Sequence, residues 1–82
     1  MNFTVYSKQG CPYCDKVVSI LNHLSGTKGF PIKVYSLGSD FTREQFYSEF
    51  GEGSTFPQVI VDDQHIGGCS DTVQYLQEQN LV

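Results

Sequence analysis

The sequence FTVYSKQGCPYCDKVVSILNHL, residues 3–24, joins a strand pattern to a helix pattern through two cysteines. Its first four residues are aromatic or β-branched, as in half-buried strands. Apolar residues then recur with the spacing i, i+3, i+4 and i+7, which places them on one face of a helix. They are Val17, Ile20, Leu21 and Leu24. This stretch therefore predicts a strand, a short loop and an amphipathic helix.

Cys11 and Cys14 lie where the predicted helix begins. Pro12 suits the first helical position because its φ is already helical and its missing N–H is not needed there. Cys11 would then lie at the helix N-terminus, where free N–H groups and the helix dipole stabilise a thiolate and lower the thiol pKa. Cys14, one turn further on and less exposed, can attack a mixed disulfide formed at Cys11. We predict that Cys11 is the exposed nucleophile and Cys14 the resolving thiol.

Length and composition predict a single domain spanning residues 1–82. With 39% hydrophobic residues the chain can build one core, and its net charge of −4 argues against nucleic-acid binding. No apolar run is long enough to span a membrane, and the N-terminus lacks the pattern of a signal peptide. We therefore expect a cytoplasmic protein, whose three cysteines serve catalysis or metal binding rather than structural disulfides.

The region after the first helix predicts a loop and a second strand. The helix is expected to end around Ser25 and Gly26, because Gly26 can take the left-handed conformation that terminates helices. Residues 26–31 would form a surface loop. Residues 32–37 are typical of a strand, which would lie parallel to the first one and complete a right-handed βαβ unit.

A second helix is marked by its own capping signal. Thr42 and Gln45 have the spacing of a capping box, with Thr42 as the N-cap residue. The helix is expected to end at Gly51 or Gly53. Arg43 would be its first residue, and from the residues alone a solvated surface charge is the simpler interpretation of this side chain.

The last third of the chain predicts a hairpin followed by a helix. Residues 58–61 form an apolar strand, residues 62–63 a turn and residues 64–66 a returning strand. Ser70 or Asp71 would cap the final helix. The N-terminus of this helix is a second place where an anion can bind.

Three motifs now carry a family resemblance. They are Cys11-Pro12-Tyr13-Cys14, Thr55-Phe56-Pro57 and Gly67-Gly68-Cys69-Ser70-Asp71. In this order, within a β-α-β-α-β-β-α pattern, they resemble the dithiol glutaredoxins, with Phe56 where that family usually has Val. Thioredoxin itself is less similar, because its motif has a Trp before the first Cys and this chain contains no Trp. The resemblance spans nearly the whole chain and implies an α/β, thioredoxin-like fold with a four-stranded mixed sheet flanked by helices.

The resemblance also implies an activity. The protein would be a glutathione-dependent thiol–disulfide oxidoreductase that reduces protein–glutathione mixed disulfides and protein disulfides through Cys11 and Cys14. Glutathione would be the reducing co-substrate, with no tightly bound cofactor and no metal. The implied partners are glutathione and disulfide-containing or glutathionylated proteins, and the chain is expected to be a monomer.

A glutathione-binding groove follows from the same resemblance. Lys8 and Arg43 would bind the glycyl carboxylate, and Tyr13 would line the groove. Phe56 would pair its backbone with the cysteinyl part of the tripeptide, next to a cis bond to Pro57. The remaining implied residues are Thr55 at the border of the site and, at the γ-glutamyl end, Gly68, Cys69, Ser70 and Asp71.

Two alternatives involve metal rather than thiol exchange alone. Cys11, Cys14, His65 and Cys69 have ligand types suited to a Cys₃His zinc site, although Pro12 favours an amphipathic helix over a zinc knuckle. A glutathione-ligated [2Fe–2S] carrier is the other alternative, but the glutaredoxins that bind such clusters have a Cys-Gly-Phe-Ser site. Cys69 itself is expected to be a buried small apolar residue or a backbone donor.

Overall fold

The computed structural model describes all residues, 1–82, and contains three helices and a four-stranded sheet. In chain order the elements are β1 (Phe3–Ser7), α1 (Pro12–Lys28), β2 (Ile32–Ser36), α2 (Arg43–Phe50), β3 (Gln58–Val61), β4 (Gln64–Gly67) and α3 (Cys69–Glu78). The strand order is β2-β1-β3-β4, with β1 parallel to β2 and antiparallel to β3, and β3 antiparallel to β4. The predicted element order and mixed sheet are confirmed. None of the helices has the length and apolar character needed to cross a membrane.

Strand β1 lies in the middle of the sheet and separates its two faces. Phe3, Val5 and Ser7 are buried on one face, while Thr4 and Tyr6 are only partly buried on the other. Helices α1 and α3 pack together over the first face. The core there consists of Phe3, Val5, Val17, Leu21, Leu24, Val59, Val61, Cys69 and Leu76. The predicted helical face of α1 is thus the face that meets the sheet.

Helix α1 is longer than the sequence predicted. It continues through Gly26 to Lys28 and ends at Gly29, which takes the left-handed conformation with φ 74° and donates its N–H to the Ser25 carbonyl over 3.0 Å. The expectation that the helix stops at Gly26 is wrong. A glycine inside a helix costs only about 1 kcal/mol relative to alanine, so a second glycine three residues later can serve as the terminator.

Helix α2 begins and ends as predicted. The Gln45 N–H donates to Thr42 Oγ1 over 3.1 Å, and the Thr42 N–H donates to Gln45 Oε1 over 2.9 Å, which completes the capping box. Gly51 ends the helix with φ 104°. This local hydrogen bonding fixes the position of Arg43 as the first residue of α2.

Helix α3 begins earlier than predicted. Its N-cap residue is Gly68, so Ser70 and Asp71 lie inside the first turn rather than ahead of it. Asp71 still helps to cap the helix, because its Oδ2 accepts the Gly68 N–H over 3.3 Å. A Cβ at Gly67 would lie only 2.5 Å from the same carboxylate, so the close return of Asp71 requires glycine there.

Candidate active site

Cys11 and Cys14 are joined by a disulfide across the first turn of α1, with their Cα atoms 5.2 Å apart. Cys11 is the N-cap residue, and its Sγ accepts the Cys14 N–H over 3.2 Å. A side-chain acceptor at the N-cap usually satisfies one of the free N–H groups of a helix, and here a sulfur does so. The same N–H group and the helix dipole would stabilise a thiolate on Cys11 after reduction.

The two cysteines differ in accessibility as well as in position. The residue Cys11 is 7% exposed and Cys14 is 1% exposed, so Cys14 is the more buried thiol, as predicted. The expectation of an exposed Cys11 needs correction, because Cys11 is accessible only in part. Its Sγ lies 3.8 Å from the carbonyl oxygen of Phe56, which covers one side of the sulfur.

Residues 55–57 run beside Cys11, and the Phe56–Pro57 peptide bond is cis, as expected. Gln58, the first residue of β3, holds this segment in place. Its Nε2 donates to the Thr55 carbonyl over 2.8 Å, and its Oε1 lies 2.6 Å from His65 Nε2 on β4. The backbone next to the reactive sulfur is therefore tied to the sheet through a buried side chain.

Two grooves meet at Thr55 and Phe56. The first is lined by Lys8, Gly10, Cys11, Pro12, Arg43, Tyr47, Ser54, Thr55 and Phe56. The second is lined by Tyr13, Thr55, Phe56, Pro57, Gln58, His65, Ile66, Gly67, Gly68, Cys69, Ser70 and Asp71. Every binding residue predicted from the sequence lines one of the two grooves, and Cys11 lies in the first. Cys14 lines neither, in keeping with its burial.

The grooves differ in charge. The first contains two cationic side chains, Lys8 and Arg43, and no carboxylate among its lining residues. The second ends at the N-terminus of α3, where the first N–H groups have no partner within the helix and the Asp71 carboxylate takes up the Gly68 N–H. On one side of the Phe56 backbone the site is therefore cationic. On the other side it combines free helix N–H groups with the Asp71 carboxylate.

The Glutaredoxin family model matches residues 3–66 of the chain. The chain belongs to the glutaredoxin family. Glutaredoxin 3 of Escherichia coli strain K12 is 35% identical over 71 residues, which cover 85% of this chain and 80% of that protein. The solved structure of reduced Escherichia coli glutaredoxin, 27% identical, matches 100% of both chains with a TM-score of 0.84. A buckwheat glutaredoxin–glutathione complex, 24% identical, has the same fold, with a TM-score of 0.74 over 96% of this chain and 71% of that one.

This glutaredoxin is a thiol–disulfide oxidoreductase, and the Cys11–Cys14 pair is its redox-active dithiol. The structure does not bring together the four candidate ligands of the zinc alternative, Cys11, Cys14, His65 and Cys69. No group of three or more His, Cys, Asp or Glu side chains is arranged to hold a metal ion. Cys69 is buried and free, as expected for a small apolar residue at the start of α3.

Some lining residues of the glutaredoxin site were not predicted from the sequence. Tyr47 lines the first groove four residues after Arg43, on the same face of α2, so helical spacing was a usable signal. Gln58 and His65 meet in the second groove, and no local pattern pairs them. Their contact depends on the antiparallel pairing of β3 with β4.

Proposed function

We propose that this glutaredoxin takes its electrons from glutathione and reduces protein–glutathione mixed disulfides and protein disulfides. The observation that carries the proposal is the pair of grooves that meet beside Cys11, with the two cations Lys8 and Arg43 in one and a helix N-terminus in the other. Glutathione has a carboxylate at each end and its thiol between them. A ligand of that shape would reach both grooves with its sulfur next to Cys11.

The glycyl carboxylate would bind in the first groove. Lys8 and Arg43 both line it, and none of the other lining residues is a carboxylate. A hydrogen bond between charged groups contributes about 1.5 to 3 kcal/mol when it is well formed. Two such contacts would give this end of the groove a marked preference for a carboxylate over a neutral group.

The γ-glutamyl end would bind in the second groove. Its carboxylate can accept hydrogen bonds from the free N–H groups at the start of α3, near Cys69 and Ser70. Its ammonium group can approach the Asp71 carboxylate, which lines the same groove. Between the two ends, the cysteinyl part would pair with the Phe56 backbone, with Tyr13, Thr55, Pro57 and Gly68 as further lining residues.

With a glutathionylated protein, the Cys11 thiolate attacks the glutathione sulfur, and the protein sulfur leaves as a thiolate that takes up a proton. The product on the enzyme is a Cys11–glutathione disulfide. A second glutathione thiolate attacks it, which forms glutathione disulfide and restores the Cys11 thiolate. Cys14 is not needed for this route.

A protein disulfide requires both cysteines. Cys11 forms a mixed disulfide with one substrate sulfur and releases the other as a thiol. Cys14 then attacks Cys11, which frees the second substrate thiol and forms the Cys11–Cys14 disulfide seen in the structure. Two glutathione thiols supply one electron each to reduce this disulfide and become glutathione disulfide. A monomer suffices for every step, and a reducing cytoplasm is the compartment we propose for it.

The test is a coupled assay in which NADPH and glutathione reductase regenerate glutathione while the enzyme reduces a glutathionylated peptide. We expect turnover that depends on enzyme and saturates with the peptide, and none with Cys11→Ser. Dithiothreitol serves as a second reductant. Turnover supported by dithiothreitol but not by glutathione would refute glutathione as the electron donor while leaving the oxidoreductase activity intact.

A further inference from the structure

The Phe56 side chain connects the first groove to the aromatic residues of α2. Its ring stacks on the Phe46 ring with centroids 4.1 Å apart and planes within 11° of parallel. The Phe41 ring lies nearly parallel to it as well, at 6.1 Å. The Lys8 ammonium lies over the Phe56 ring, 5.5 Å from its centroid. One side chain therefore contacts both a buried aromatic stack and a cation of the proposed carboxylate site.

Stacking restricts the motion of the Phe56 ring, and the ring in turn restricts the motion of the Lys8 ammonium. A lysine side chain has many rotamers, and holding its ammonium in one place for a ligand costs conformational entropy. An aromatic ring within about 6 Å of the ammonium attracts it and lowers that cost before the ligand arrives. The ring can do so only if it is itself held, and stacking on Phe46, which is 1% exposed, holds it.

We infer that the Phe56 ring is a positioning residue that holds the Lys8 ammonium in the first groove for the glycyl carboxylate of glutathione. The inference rests on the proposed function and assigns a role to the side chain, whereas that proposal uses only the Phe56 backbone. The ring does not touch the reacting sulfurs. Its effect is confined to how strongly the enzyme prefers a substrate that carries the carboxylate.

The experiment measures that preference as a ratio. Two substrates are prepared from one peptide. In the first, the peptide cysteine is joined to glutathione. In the second, it is joined to glutathione whose glycyl carboxylate has been converted to the neutral amide. The ratio of kcat/KM for the two mixed disulfides reports recognition of this carboxylate. General losses of activity or of folded protein affect both substrates equally and cancel in the ratio.

We expect Phe56→Leu to lower the ratio by about two- to fivefold, the range of a partly exposed cation–π contact. Phe56→Tyr keeps the ring and should restore most of the preference. If Phe56→Leu folds poorly, Phe56→Val removes the ring with the residue that the family usually has. Phe50→Leu is the matched control, because Phe50 packs in the same cluster, tilted against Phe46 and His65 and edge-on to Tyr6, but lines neither groove, and it should leave the ratio unchanged.

The decisive comparison introduces Phe56→Leu into a Lys8→Gln variant. Because that variant lacks the ammonium, Phe56→Leu should change its kcat/KM ratio no further. A ratio that Phe56→Leu leaves at the wild-type value would overturn this inference, as would an equal effect of Phe56→Leu with and without Lys8. If the wild-type enzyme reduced neither mixed disulfide, the proposed function itself would fail, which is a distinguishable result.

Discussion

The two faces of the sheet are built from different side chains. On the face under α1 and α3, here called the aliphatic face, nine residues form one buried cluster in which aliphatic side chains predominate. On the face under α2, here called the aromatic face, seven phenylalanine and tyrosine rings pack tilted, edge to face or stacked, and several stay partly exposed. These rings belong to Tyr6, Tyr35, Phe41, Phe46, Tyr47, Phe50 and Phe56. The contrast begins within β1, whose alternate side chains point to the two faces.

We expect the aliphatic face to contribute more to folding stability and the aromatic face more to substrate binding. The nine residues of the aliphatic cluster are each at most 8% exposed and close-packed. The aromatic face is less completely buried and borders a cavity of about 330 Å³ whose lining includes Tyr6, Tyr35 and Glu49. It also reaches the first groove through Phe56. The cysteines lie at the boundary, with Cys14 buried and Cys11 facing the groove.

The largest expected effect separates the two cysteines at this boundary. Cys11→Ser should abolish reduction of both glutathionylated peptides and protein disulfides, because Cys11 makes the first bond with either substrate. Cys14→Ser should keep deglutathionylation and lose most reduction of protein disulfides. Both variants are to be assayed on both substrates. Deglutathionylation that survives Cys11→Ser but not Cys14→Ser would reverse the two roles and contradict the assignment based on the helix terminus.

Stability should depend more on the aliphatic face. Leu21 is 0% exposed, and Leu21→Ala should lower the free energy of unfolding by about 2 to 5 kcal/mol through lost burial and a cavity. Phe50→Leu, on the half-buried aromatic side, should cost about 1 kcal/mol. Urea unfolding measures both changes. Equal losses for the two variants would show that the faces do not differ in this way.

Recognition should depend on the first groove. Lys8→Ala and Arg43→Ala should each lower kcat/KM for a glutathionylated peptide by about tenfold, since each removes one charge-assisted contact to the carboxylate. Lys28→Ala is the control, because it changes the net charge equally at the far end of α1. Loss of activity in Lys28→Ala of the same size would point to long-range charge alone. Full activity in the Lys8→Ala, Arg43→Ala double variant would contradict the placement of the carboxylate.

The smallest expected effect is a pH dependence of the folding stability, which arises from Tyr6 on the aromatic face. Burial, followed by the nearby Glu49 carboxylate and Tyr35, raises the pKa of Tyr6 above its ordinary value of 10.0. The folded protein therefore holds the phenol proton more tightly than the unfolded chain does. This contribution to stability is complete below about pH 10 and is lost as the pH rises through the folded pKa. Tyr6→Phe should show a shallower loss of stability above about pH 10 in urea titrations. If stability falls with pH at the same rate in Tyr6→Phe and in the wild type, the effect is excluded.

Local features of the fold were predictable from the sequence because each rests on a few neighbouring residues. Pro12 after Cys11 marked the start of α1, and the pairing of Thr42 with Gln45 marked that of α2. Where two neighbouring signals competed, the prediction failed. Gly26 and Gly29 both suit a helix end, and only Gly29 takes that role. For α3, the side chains suggested a start two or three residues later than Gly68, since a glycine N-cap has no capping side chain to recognise.

The sequence by itself determined the dithiol, its place at a helix N-terminus and the β-α-β-α-β-β-α order, because helix starts, turns and periodicity depend on residues within a turn or two of each other. The tertiary structure alone decided which residues meet across the chain. Phe56 stacks on Phe46 and lies under Lys8, and Gln58 meets His65, because sheet pairing and the packing of α2 bring them together. Lys8 and Phe56 are far apart in sequence, and the contact between Gln58 and His65, seven residues apart, depends on the register of β3 with β4, so no local pattern predicts either contact.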